Sequence, residues 1–124
     1  MARFILLFGA ILGLGGVIAG ALFDHALSDE MTHSAETALR YHQGYALLIT
    51  ALGLVMTYAE INPRELKRLA LTSTLFIVGT ILFCGSLYVL SFTGIRLAAY
   101  GAPAGGLTLM AGWAALCITA LLRR

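Results

Sequence analysis

His25, His33 and His42 carry the most versatile chemistry in this chain, because a neutral imidazole can ligate a metal, relay a proton or orient a nucleophile. They lie eight and nine residues apart, a spacing that places no two of them on one helical turn. Asp24 or Glu36 would have to complete a metal set, and His33 with Glu36 is only a generic i,i+3 pair. No metal and no cofactor is predicted. Ser86 and Ser91 have no histidine close in sequence to act as a base, and no acid or histidine continues a proton path deeper into the apolar segments. No catalytic residue is therefore assigned. What remains is a candidate polar binding cluster of Asp24, His25, His42, Gln43, Ser86, Tyr88 and Arg96. Three roles stay open for its histidines: hydrogen bonding at an interface, binding of a partner or solute, and ligation.

The elements that must position these groups are four uncharged apolar runs, Phe4 to Phe23, Tyr41 to Ala59, Leu69 to Ile95 and Leu97 to Leu122. A bilayer core about 30 Å thick takes ~20 residues of helix, and backbone inside it must pair within a helix or a closed barrel. The 124 residues are 60% apolar and 11% charged, with a mean hydropathy of +0.90, which excludes a water-soluble core. The sequence predicts an all-α integral membrane protein. It is a single transmembrane domain, an antiparallel bundle of four transmembrane helices at about 4–23, 34–59, 67–93 and 102–122. Arg3, the first apolar run and Ala19-Gly20-Ala21 imitate a signal peptide. That run has 20 residues against roughly 7 to 15 for a signal core, so retention as the first helix is expected. Cys84 and Cys117 fall at different depths and should not pair.

Loop charge sets the orientation, because Lys and Arg accumulate on the cytoplasmic side of short connections. One side holds Arg3, Arg64, Lys67, Arg68, Arg123 and Arg124, and the other holds only Arg40 and Arg96. Both termini are predicted to be cytoplasmic, in the bacterial inner membrane. The polar cluster then gathers at the outer end. The first connection, Asp24 to Arg40, is acidic through Asp24, Asp29, Glu30 and Glu36, and Glu36 with Arg40 has i,i+4 ion-pair spacing. Asn62-Pro63 reads as a helix stop and restart, Gly94 as a left-handed helix end, and Pro103 as a first-turn residue of the last helix. The dispersed basic residues form no stripe for nucleic acid.

Lipid tails give no hydrophobic drive between helices, so close approach at small residues must hold a membrane bundle. Gly9, Gly13, Gly16 and Gly20 recur at helical spacing in the first segment, Gly53 lies in the second, Gly85 in the third, and Gly105, Gly106 and Gly112 in the fourth. They are expected to serve helix packing, with an oligomer interface as an extension of the same use. Trp113 falls toward the membrane interior and needs an internal partner for its indole N–H.

The segments Gly20 to Leu27, Tyr41 to Leu47 and Leu82 to Tyr88, with Pro103-Ala104-Gly105-Gly106 and Ala111-Gly112-Trp113, resemble the small bacterial inner-membrane proteins of the YgdD and YwdK type. That family is a domain of unknown function with a eukaryotic relative among small transmembrane proteins. The resemblance touches all four segments in order. Phe23 and Asp24 stand where the family usually has glycine and alanine, and Tyr45 where it commonly has a second histidine. The resemblance implies a four-helix inner-membrane protein and supplies no activity. Partners are therefore the lipid bilayer and a homo-oligomer or larger membrane complex, and the expected role is a binding, accessory or assembly subunit. One alternative is a solute- or ion-conducting oligomer lined by His42, Gln43, Thr50 and Thr57. The other is a membrane enzyme at the outer interface using His25, His42 and Arg96.

Overall fold

The structure, a computed structural model, describes residues 1–26 and 33–123. Four long helices follow one another: α1 (Ala2–Ala26), α2 (His33–Tyr58), α3 (Pro63–Thr93) and α4 (Gly101–Leu121), with a short 3-10 helix over Arg96–Tyr100 leading into α4. Among the described residues there is no strand. Asp29 and Glu30 of the acidic connection, and Arg124, lie outside the described residues. Three segments are long and apolar enough to cross a membrane: Ala2–His25, Pro63–Thr93 and Arg96–Leu121. In α2, Glu36, Arg40, His42 and Gln43 fall in the amino-terminal half and lower its apolar character, although 26 residues exceed the length a crossing needs.

Local sequence explains where α3 begins and ends. Asn62 is extended (φ −67°, ψ 154°), its side chain accepts the Glu65 N–H at 2.9 Å, and Pro63 supplies a first helical residue with a preset φ. At the other end Gly94 takes φ +67°, which glycine alone adopts without a side-chain penalty, and donates its N–H to the Leu90 carbonyl at 2.9 Å. The 3-10 segment Arg96–Tyr100 was not expected from the sequence, which assigned this stretch to a plain turn.

The four helices are paired as two hairpins. In the first, α1 and α2 run antiparallel in close register: a Cβ added to Gly9 would stand 2.6 Å from the Thr50 nitrogen, and one added to Gly53 would stand 2.5 Å from the Leu6 Cα. In the second, Gly79 meets Leu109, Gly105 meets the Phe83 backbone, and Gly112 meets the Phe76 ring. Gly16 and Gly20 abut the Gln43 side chain, and Gly106 makes ordinary contact with Phe83. Gly13 and Gly85 require a correction to the spacing argument. A Cβ at either would meet nothing within 4 Å, so neither belongs to a seam although both recur at helical intervals.

The hairpins join through α2 and α3, which meet by large side chains rather than by glycines. Tyr41 lies over Phe83 with ring centroids 4.7 Å apart, Tyr45 over Phe76 at 5.6 Å, and the Ser73 hydroxyl points at the Met56 sulfur at 3.8 Å. Ile5, Ile49, Leu52, Met56, Leu69, Phe76 and Leu109 form the core, so it draws on every helix. The backbones of α2 and α4 do not approach one another, and neither do those of α1 and α4.

Candidate functional site

Two places collect the side chains of interest, and they differ in whether their polar groups are already used. The first is built where α2 leans on the middle of α1. His42 Nε2 lies 2.9 Å from the Leu12 carbonyl and Nδ1 lies 3.1 Å from the Tyr88 hydroxyl. A carbonyl only accepts, so Nε2 carries the proton, and Nδ1 accepts from the tyrosine O–H. His42 thus ties α1, α2 and α3 together. Gln43 donates from Nε2 to the Gly16 carbonyl at 3.1 Å. The bare glycine surface of α1 is what exposes these helical carbonyls to side chains of α2, since Gly15 and Gly16 put no side chain in the way.

This geometry revises the expected outer cluster. His42 packs over Gly15, ten residues before His25, which is about 15 Å of helix rise, so the two histidines do not meet. His42 and Gln43 engage α1 about half-way along its length rather than at its outer end. Asp24, His25 and Arg96 are exposed, and Ser86 sits against Gly101 at the entry to α4. Among the described residues, no three His, Cys, Asp or Glu side chains gather as a metal set. The polar stripe of α2 is also satisfied internally: Thr50 and Thr57 donate to the carbonyls of Ala46 and Gly53, each at 2.7 Å. Glu36 and Arg40 do not close their i,i+4 pair. Among the described residues the ion pair that forms is Arg123 with Glu65, Nε to Oε1 3.3 Å.

The second place is a lateral groove between α2 and α4. Because those two backbones stand apart, a cavity of about 460 Å³ opens along α2, lined by Arg40, Tyr41, Gly44, Tyr45, Leu48 and Trp113. A smaller one of about 240 Å³ continues past Phe83 and Met110. The wall is aromatic: Tyr41 stacks on Tyr45 at 6.1 Å, and the buried Phe76 ring packs against both Tyr45 and Trp113, at 5.6 and 5.4 Å. The bridge across the groove is the indole N–H of Trp113, donated to the Tyr45 hydroxyl at 2.9 Å. That bond supplies the internal partner Trp113 was expected to need. Tyr45 and Gly44 were not assigned to any site from the sequence, which placed Arg40 only among the polar groups of the outer end. Their common feature, an aromatic and glycine repeat on one face of α2 ending at a cation, is visible only once α4 is known to lie opposite.

A cavity of this size, apolar and with few polar groups, fits the usual dimensions of small-ligand sites, about 300 to 1,000 Å³. Helical in nearly all its described residues, apolar on its outside and sewn by glycines, the molecule is a small multi-pass membrane protein. The chain belongs to the family described as protein of unknown function (DUF423), whose model matches residues 19–106. It is 35% identical to the UPF0382 inner membrane protein YgdD of Escherichia coli strain K12, covering 97% of this chain and 91% of that protein. It is 32% identical to the UPF0382 membrane protein SH2409 of Staphylococcus haemolyticus, over 96% and 95% of the two chains. A UPF0382 membrane protein of Haemophilus influenzae shares 29% identity over 86% of this chain and 85% of its own length. No solved structure matches the chain. It is a bacterial inner-membrane protein of a family without an assigned activity.

Proposed function

We propose that this protein crosses the membrane four times with both termini cytoplasmic and acts as a binding or accessory subunit, with the α2–α4 groove as its working surface. The crossing of α2 is supported by its register. It lies against α1 from Leu6 opposite Gly53 to Gly20 beside Leu39, fourteen residues and about 21 Å of rise, which is most of a bilayer core. The orientation is supported by Arg3, Arg64, Lys67, Arg68 and Arg123 on one side against Arg40 and Arg96 on the other. Reporter fusions after Arg123 and within the α1–α2 connection test it: an exported reporter active at the C-terminus would refute the orientation.

The binding role is carried by one observation: the groove is unfilled by the fold, whereas the close-packed glycines and the polar residues of α2 that could line a path are used inside it. The close-packed glycines are occupied by the opposing helix within the same hairpin, and His42, Gln43, Thr50 and Thr57 spend their hydrogen bonds on helical carbonyls. A conducting path along α2 would need those groups free, so the binding reading is favoured over it. A photo-crosslinking residue at Leu48, in the groove, is compared with one at Leu14, exposed on α1. Specific adducts at Leu48 that Leu14 does not give are expected; identical adduct patterns at both positions would sink the groove as a binding surface.

A further inference from the structure

Among the described residues the groove has one charged residue on its lining, and no carboxylate pairs with it. Arg40 is exposed at one end, Glu36 one turn earlier does not pair with it, and no acid lines the cavity. From Arg40 the lining continues along α2 through Tyr41, Gly44 and Tyr45 to Leu48, eight residues and about 12 Å of rise. Gly44 forms a floor without a side chain, since a Cβ there would meet nothing within 4 Å. The lining is apolar apart from the Arg40 guanidinium and the tyrosine hydroxyls, which suits an apolar chain with one anionic end better than a hydrated solute.

Resting on the reading of the groove as the binding surface, we propose that it holds an acidic phospholipid. The phosphate sits on the Arg40 guanidinium, and one acyl chain runs over Gly44 and lies on the outer side of the Tyr45–Trp113 bridge toward Leu48. A guanidinium offers a planar fork of donors to a phosphate, and a headgroup amine would find no carboxylate on the lining. Aromatic edges suit an acyl chain, which needs contact and no hydrogen bonds. The glycine at the floor is what lets the chain lie against α2 instead of being held off by a side chain.

Trp113 is the only tryptophan of the chain and lines the groove, so its fluorescence reports the occupant. The protein is reconstituted in phosphatidylcholine vesicles with a minor fraction of brominated-chain phosphatidylglycerol, or of brominated phosphatidylcholine at the same fraction. Quenching of Trp113 is expected to show about five-fold enrichment of the acidic lipid, the factor one basic residue near a membrane surface supplies. Arg40→Gln should bring it down to the phosphatidylcholine level, and Arg96→Gln, exposed and outside the groove, should not. Gly44→Leu, whose Cβ meets nothing within 4 Å and whose branched end projects into the groove region, should lower quenching by both lipids. Equal quenching by the two lipids, or no change in Arg40→Gln, would overturn the proposal. So would loss of quenching on adding inorganic phosphate, because that marks a site for a soluble anion. A polypeptide cross-linked at Leu48 would overturn the lipid while keeping the groove as a binding surface. Absence of both cross-link and selective quenching would remove both.

Discussion

Replacing Gly53 by alanine tests the idea that glycines hold this bundle by backbone contact. The new Cβ would stand 2.5 Å from the Leu6 Cα and 2.6 Å from the Leu6 nitrogen, both main-chain atoms that cannot rotate away. Ordinary contact for a Cβ begins near 3.4 Å, so α1 must retreat by about 1 Å. Overpacking of this kind costs about 1 to 3 kcal/mol. The same retreat stretches the bonds from His42 to the Leu12 carbonyl and from Gln43 to the Gly16 carbonyl, now 2.9 and 3.1 Å, beyond hydrogen-bonding range. Interhelical hydrogen bonds in a membrane average about 0.6 kcal/mol each, so the pair adds about 1 kcal/mol. Gly53→Ala is thus expected to destabilise by about 2 to 4 kcal/mol. Gly85→Ala is its control, because a Cβ there meets nothing within 4 Å and the helix itself favours alanine. Both are compared by reversible unfolding in mixed micelles of increasing denaturing detergent. If the two variants unfold together, close backbone approach is not what stabilises the α1–α2 hairpin.

Further outcomes follow from single contacts. Tyr88→Phe removes the hydroxyl that donates to His42 and should cost about 0.6 kcal/mol; a double-mutant cycle with His42→Ala should show coupling, and purely additive effects would deny that the bond contributes. Asn62→Ala leaves the Glu65 N–H without its cap and should lower stability by about 1 kcal/mol in the same unfolding assay, with Asn62→Asp largely restoring it. Arg123→Gln removes an ion pair whose arginine is 74% exposed, so its midpoint should stay within about 0.5 kcal/mol of the parent; a larger loss would mean the pair is stronger than an exposed one.

What could be read in the sequence was what is local. The helices, the Asn62-Pro63 start and the Gly94 end depend on residues within a turn of each other, and the observed segments begin and end within four residues of the predicted ones. The glycine stripes were half legible. Periodicity selects a face, but only the facing helix decides which members of it touch, so Gly9 and Gly16 are in the seam and Gly13 is not. The height of His42 was not legible, because it follows from the register of α2 on α1 and not from distance along the chain. The groove was beyond reach for the same reason: Tyr45 and Trp113 meet across 68 residues, and the gap they bridge exists only because two backbones fail to pack.

Each hairpin, α1–α2 and α3–α4, carries its own glycine contacts, while the α2–α3 boundary has none of them and relies on Tyr41, Tyr45, Phe76 and Phe83. That division has a consequence for biogenesis. Each hairpin can close on contacts that are near in sequence, without the other half of the chain. The aromatic boundary is what a chain growing from its N-terminus can complete only after α3 has followed the first hairpin.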